Sequence, residues 1–371
     1  MDIVNVGKLK KIDIKDKKIL ERYFENYPQD FCDFNLFNLL SWSIIYDYYW
    51  TIFDERLIIF NKTTNYILKP VGEAFSIKEL LFISDSFIKS GYSGDFCFFD
   101  QNYLNIIKNK NLNDKNDDDS KLDKFFDIIE VRDNANYIYL TDKLASLNGR
   151  KFHNKRNLIS QFMRNYSSFK IKTYDETNSD CSVFKECVAL AEKWMVQKES
   201  AEKESLKDKG YENIENKIFN EKETIKENKN ENRKGDGNRN ETINVNMNIN
   251  VNVNINANEN MEIELKVLKN SCNYFKELNM GLIIIEYNGK IIAFSVYSKQ
   301  NDKMATIHFE KYDSDFIGVS QVINNITAKN LVGKYQFINR EDDLGIEQLR
   351  FAKNSYHPDI LLIPYILRRI K

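Results

Sequence analysis

Between Gly281 and Lys311 three apolar runs follow one another almost without interruption: 281–287, 290–299 and 303–311. Asn288-Gly289 separates the first two and Gln300-Asn301-Asp302 the last two. Asn-Gly supplies the two positive φ angles of the tight hairpin turn that matches strand twist, so this stretch can hardly be anything but an antiparallel meander. Helical periodicity lies on either side of it, over Glu264 to Leu278 and over Ser314 to Leu331, with Gly333 as the stop. A strand over Tyr335 to Ile338 and a short helix past Gly345 complete the series. The pattern predicts an α/β (α+β) unit, a mixed and largely antiparallel sheet flanked by helices.

The first half repeats that order without detectable sequence identity. Lys15 to Phe24 reads as a helix, and strands are expected over Ile44 to Phe53, Leu57 to Asn61 and Tyr66 to Lys69. Ser76, three residues before Glu79, starts a helix to Ser90, followed by a buried strand Phe96 to Phe99 and a helix Gln101 to Lys108. Phe31 to Trp42 is densely aromatic, with Asp33, Asn35 and Asn38 as its only strongly polar members, and reads as core. Phe125 to Tyr139 carries two strands with a turn at Asp133-Asn134. With 371 residues, 42% of them hydrophobic, two cores can be filled. The expected division is 1–133 and 134–371.

Inside the second part the composition collapses to Glu, Lys and Asn. The span 199–260 is expected to be a disordered insertion, although Ile243 to Asn258 alternates apolar residues with Asn, a period that also suits a loose hairpin. The tail from Ile360 to Lys371 reads as a core strand, with a peripheral membrane contact as the alternative, since apolar residues precede three basic ones.

A formal net charge of −1 gives no global field for a polyanion, so contact with RNA or an anionic lipid requires a local basic patch. Five cysteines without a Cys-x-x-Cys pair fit reduced thiols rather than zinc, and no metal site is expected. No apolar run approaches the roughly 18 residues of a spanning helix, and the N-terminus has no apolar signal core, so a cytoplasmic location is expected.

The chemistry concentrates in Ile338 to Pro358. A strand ends in Asn339-Arg340-Glu341-Asp342-Asp343, and the helix beyond Gly345 adds Arg350 and Lys353. The two aspartates suit a helix N-terminus by capping and dipole. His308 and Glu310 lie two apart on a strand and are expected on one face as base and orienter. Lys151 to Tyr166 presents Lys155, Arg156 and Arg164 on a basic helix face able to hold a phosphate or carboxylate. No P-loop, nucleophile elbow or dinucleotide fingerprint occurs.

The Asn339 to Pro358 stretch, Asn-Arg-Glu-Asp-Asp-Leu-Gly followed by Leu-Arg-x-x-Lys-x-Ser-Tyr-x-Pro, resembles the signature of the phosphatidylglycerol lysyltransferase C-terminal domain family. Gly149 to Asn157, Asn288 to Phe294 and His308 to Lys311 are similar to that family as well. The resemblance implies two tandem GNAT-like domains, here without the membrane-embedded part that precedes them in the lysyltransferases. It implies an acyl or aminoacyl transferase with an aminoacyl-tRNA donor, tRNA as partner, and an anionic lipid or small molecule as acceptor. Site residues would be Glu341, Asp343, His308 and Glu310 for proton handling. Lys155, Arg156, Asn157, Asn339, Arg340, Arg350, Lys353 and Tyr356 would bind substrate, with Arg340 and Arg350 as anion clamps. No cofactor is called for. Acyl-CoA as donor is disfavoured because only Gly318 is available where a pyrophosphate-cradling turn would lie. A non-catalytic binding module for an anionic ligand or tRNA, or a coenzyme A-dependent N-acyltransferase, are the alternatives.

Overall fold

The structure, a computed structural model, describes residues 6–111, 121–175, 177, 181–208 and 257–370. Its fourteen named strands form two seven-stranded sheets. The first contains β1 (Lys10–Lys11), β2 (Tyr48–Phe53), β3 (Arg56–Asn61), β4 (Tyr66–Leu68), β5 (Asp95–Phe99), β6 (Phe126–Glu130) and β14 (Tyr365–Arg369), in the order β1-β2-β3-β4-β5-β14-β6. The second contains β7 (Asn136–Leu140), β8 (Lys170–Tyr174), β9 (Gly281–Tyr287), β10 (Lys290–Asn301), β11 (Met304–Tyr312), β12 (Phe337–Asn339) and β13 (Ile360–Leu362), in the order β13-β7-β12-β11-β10-β9-β8.

Both halves follow one plan. In the first, α1 (Lys17–Asn26) and α2 (Leu36–Ser41) precede the meander β2-β3-β4, and α3 (Ile77–Lys89) leads to β5, which pairs parallel to β4. In the second, β9-β10-β11 is followed by α9 (Val319–Leu331) and then β12, parallel to β11. This is the repeated order expected from the sequence. The remaining helices are α4 (Gln101–Asn111), α5 (Thr141–Ser146), α6 (His153–Asn165), α7 (Cys181–Asp208), α8 (Ala257–Ser271) and α10 (Glu347–Asn354).

Local chemistry explains the element ends. The Ser76 hydroxyl accepts from the Glu79 amide while the Glu79 carboxylate accepts from the Ser76 amide, a complete capping box on α3. Asn288 and Gly289 both take positive φ at the β9-β10 turn. Helix α9 begins at Val319 rather than Ser314, because Gly318 breaks the periodicity with φ +90°. Helix α7 runs to Asp208 and α8 starts at Ala257, so both ends of the span expected to be disordered, 199–208 and 257–260, are helical. Of the expected insertion, 209–256 lie outside the described residues.

Alternation along β9 and β10 splits the second core in two. Leu282, Ile284, Phe294 and Val296 pack with Phe37 of α2, Phe184 of α7 and Val267 of α8. Ile283, Ile285 and Ala293 pack with Phe162 of α6 and Val319 and Ile323 of α9. The strands on either side of Asp133-Asn134 do not pair with each other: β6 closes the first sheet and β7 enters the second. The tail supplies β13 and β14, with Ile366 and Leu367 fully buried, as the core-strand reading predicts.

Candidate functional site where two parallel strands part

β11 and β12 pair from Met304–Phe337 to Thr306–Asn339 and no further. Beyond that point side chains bridge the two strands. Arg340 Nη2 donates to Glu310 Oε1 at 2.8 Å, and the Nδ1 of His308 lies 3.0 Å from Glu341 Oε1.

The two bridges occupy opposite faces of the sheet, which corrects the expectation that His308 and Glu310 share one. Val296 pairs with Phe309 and Tyr297 with Ile307, so His308 is the extra residue of a β-bulge. The bulge turns His308 toward α2, where its ring stacks on Phe37 with centroids 3.9 Å apart. Glu310 points to the α9 side, within 3.4 Å of Asn324 Nδ2.

On the α2 side, His308 is sealed. Its Nε2 lies 2.8 Å from the Ser298 hydroxyl, and burial pushes its pKa below the usual histidine value despite the Glu341 carboxylate. In the neutral ring a proton on Nδ1 would donate to Glu341 and leave Nε2 as an acceptor beside the Ser298 hydroxyl, whose single proton is also within 3.1 Å reach of Asn35 Oδ1. Glu341 also accepts from Asn38 Nδ2 at 3.0 Å, and its φ of +57° is stabilised by its own amide donating to Asn339 Oδ1 at 2.7 Å. Asn339 is fully buried and donates to Asp30 O and Asn136 Oδ1, so it shapes the turn rather than facing a ligand. The Asp342 carboxyl is pushed up to about 7, first by burial and then by its neighbours Glu341 and Asp343, against the pull of Lys353. Burial likewise raises Asp33, with Asp342 and Glu341 adding to it.

On the α9 side the groups are cationic and reachable. The side chains of Glu310 and Arg340 keep 13% and 14% of their surface exposed, against 1% for His308. Arg340 lies 5.2 Å from the centre of the Tyr356 ring, and the Lys155 ammonium lies 4.2 Å from the same ring while donating to Ser355 Oγ at 2.7 Å. Burial, then Arg340, pulls the Lys155 pKa down. None of the ion pairs among the described residues gives Lys155 a carboxylate partner, so its charge is not compensated by one of those pairs.

The other expected site residues serve the framework. Arg350 grips Asp343 with two bonds of 2.9 Å and reaches Asp133 at 2.7 Å. Asp343, fully buried, also accepts from Tyr137 Oη, Arg132 and the Gly345 amide. It caps the turn before α10, whose own N-cap, Ile346, has no side-chain cap bond. Lys353 donates to the carbonyls of Arg340 and Asp342, fixing the segment between them. Arg156 donates to the carbonyls of Leu147 and Gly149 at the end of α5. Asn157 bonds only His153 among the described contacts, on an exposed face. The cluster Arg340, Glu341, Asp343 and Arg350 is thus divided into three separate pairings. Asn38, Asn324 and Asp133, each bonded to a member of these pairings, had no motif to mark them. Asn38 had only its place as a polar residue in an aromatic run, a residue that must find a partner once buried.

The chain matches the family model described as phosphatidylglycerol lysyltransferase, C-terminal, over residues 24–213 and 256–368. Among solved structures it is similar to a conserved protein of unknown function from Bacteroides thetaiotaomicron VPI-5482, with 24% identity, a TM-score of 0.71, and coverage of 98% of this chain and 99% of that one. It is also similar to L-PGS from Bacillus licheniformis, with 12% identity, a TM-score of 0.53, and coverage of 97% and 93%. No curated protein sequence matches at a significant level. Both structural likenesses speak to the fold. The family match spans most of the chain, from Phe24 in the first half to Arg368 in the last strand, and on that ground the protein belongs to the phosphatidylglycerol lysyltransferase C-terminal family.

Proposed function

We propose that the chain is a transferase that moves an acyl or aminoacyl group from an activated ester to an amine or hydroxyl, at the α9 side of the gap between β11 and β12. The observation that carries this reading is the convergence of Glu310, Arg340 and Lys155 around Tyr356. Glu310 takes the proton of the attacking group, whose nitrogen or oxygen forms the new bond to the carbonyl carbon. Arg340 and Lys155 face the negative charge that develops on the carbonyl oxygen. The ester C–O bond then breaks, and the departing oxygen receives the proton from Glu310. His308 and Glu341 hold the two strands in place from the opposite face.

An aminoacyl-tRNA donor fits better than acyl-CoA. A Cβ at Gly318 would lie 2.3 Å from the Leu158 carbonyl, so α6 closes on the glycine where a pyrophosphate loop would be needed. The test is transfer of a labelled aminoacyl group from aminoacyl-tRNA to lipid or small amine acceptors, run beside acyl-CoA donors. Glu310→Gln and Arg340→Ala should each lower turnover by at least a hundredfold in folded protein. Wild-type turnover in both variants would overturn the assignment.

A binding module without catalysis is the second reading. It is favoured by the number of charged groups, Arg350, Asp343 and Lys353 among them, that the protein itself already satisfies. Retention of an anionic ligand by a protein that transfers nothing from either donor class would select it.

A further inference from the structure

Three segments meet at the seam between the two halves: the turn Cys32–Phe34 before α2, the linker Arg132–Asn134 between β6 and β7, and the loop that follows β12. They carry Asp33, Asn134 and Asp342, none of which the transfer site uses. Both aspartates are partly exposed, and neither belongs to an ion pair among the described residues. Of the charges that act on Asp33, that of Asp342 is the strongest and that of Glu341 the next. The hydrogen-bond donors to Asp33 are the Cys32 thiol, at 3.7 Å, and its own amide. Lys353 is the cation that acts on Asp342, yet its ammonium goes to the carbonyls of Arg340 and Asp342 rather than to a carboxylate.

The neutral groups of the seam are short of donors as well. Asn134 is fully buried, and neither its Nδ2 nor its Oδ1 meets a hydrogen-bond partner among the described residues. Its amide stands against the Asp342 carboxyl and opposes the rise of that group's pKa, in a geometry that closes no hydrogen bond. Asn38 gives its Nδ2 protons to the Cys32 carbonyl and to Glu341 Oε1, at 3.0 Å each, and its buried Oδ1 is left without a donor. Tyr46, 6% exposed, supplies an aromatic wall. Burial, then Asp33 and Asp342, hold its hydroxyl above the usual pKa, so it feels both carboxyls.

We infer that this seam is a binding site for the ammonium group of a small primary alkylamine. The groups left open there are acceptors almost throughout: the carboxyls of Asp33 and Asp342 and the side-chain oxygens of Asn38 and Asn134. An ammonium brings three N–H donors together with a positive charge, and an aromatic wall attracts it further. A water satisfies Asn134 but offsets neither carboxylate. A metal ion fits less well, because no group of three His, Cys, Asp or Glu among the described residues is placed to hold one. Two unneutralised carboxyls in a crevice cost stability, and positions that keep such a cost are candidates for ligand binding. An ammonium held here bridges Asp33 of the first half to Asp342 of the second. The seam lies on the α2 side of the sheet, across from Glu310, so binding there does not depend on the proposed transfer reaction.

The experiment is titration calorimetry of the full chain at constant pH and ionic strength, with n-butylammonium chloride as the probe. Tetramethylammonium chloride, which has the charge but no N–H, is its control. The first should bind saturably and at least about tenfold more tightly than the second. Asp33→Asn and Asp342→Asn together keep the shape and remove both charges, and should weaken n-butylammonium at least about tenfold. Glu347→Gln, at an exposed acid on α10, should leave its affinity unchanged. A melting temperature shows whether the double variant is folded, and if it is not, the two probes on wild type still decide. Absence of saturable binding, equal affinity for the two probes, or wild-type affinity in the folded double variant overturns the proposal. So does loss through Glu310→Gln alone, which would put the amine in the transfer site, or displacement by magnesium chloride at equal ionic strength, which would make the seam a metal site.

Discussion

Arg340 and Glu341 are adjacent in the chain yet serve opposite faces of one sheet. The first reaches Glu310 beneath α9 at 2.8 Å, and the second reaches His308 beneath α2 at 3.0 Å. A peptide bond thus joins the more exposed side with the sealed side, and rotation at either residue disturbs both.

Loss of Arg340 should therefore be felt in stability as well as turnover. Arg340→Ala leaves Glu310 largely buried without its cation, and a loss of about 3 kcal/mol is expected from breaking one side of a buried pair. Glu310→Gln combined with Arg340→Met removes both charges and should cost less than the single change. Urea unfolding of the three variants measures this, and a double variant less stable than Arg340→Ala would contradict it.

Arg350→Lys keeps the charge and loses the fork that holds Asp343. Since both ends of the guanidinium are bound within the protein, the expected effect is a drop of roughly 1–3 kcal/mol in stability. Affinity for an anionic ligand should change little. Titration calorimetry beside chemical denaturation distinguishes this framework role from a clamp.

Gly318→Ala meets two obstacles at once, a φ of +90° and a carbonyl 2.3 Å from the new Cβ. The expected cost is at least about 2 kcal/mol, since neither the backbone of α6 nor that of the turn can yield cheaply. A melting temperature within a degree of wild type would show that the two helices separate more readily than their packing indicates.

Asp342 gives the fold a pH dependence. Its carboxyl is raised to about 7 in the folded chain from the 3.8 of a free side chain, so between those values the native state holds the proton more tightly than the unfolded one. Its contribution is favourable below about 4 and is lost as pH rises through 7. Asp342→Asn should flatten that decline and raise stability at pH 8 by on the order of 1–2 kcal/mol, the full linkage value being reduced by residual solvent contact. Thermal melts from pH 4 to pH 8 measure it.

The alternation of 281–311 and the Asn-Gly turn were enough to place β9, β10 and β11 close to where they lie, because register in a two-sided buried sheet admits no slip. The same alternation failed at His308. A bulge adds one residue without leaving any mark in polarity, so the rule of two placed His308 and Glu310 together when they stand on opposite faces. The site stretch from Arg340 to Lys353 was legible as a concentration of charge, but which charges neutralise one another depends on Asp133, Glu310 and Asn38, brought from 217, 30 and 303 residues away. Gly318 was legible as a turn glycine, whereas its contact with Leu158 is tertiary and has no local signal.

The position of β14 bears on the order of events during synthesis. Tyr365–Arg369 lies between β5 and β6, pairing with both, so the first sheet stays in two pieces until this strand has been made. Strands β5 and β6 would present bare edges through translation of the whole second half, and those edges invite pairing with other nascent chains. The sequence separation also makes closure a slow, late step. A chain stopped before Tyr365 should accumulate as aggregate, with β5 and β6 as the adhesive strands, even though every residue around Arg340 would already be in place.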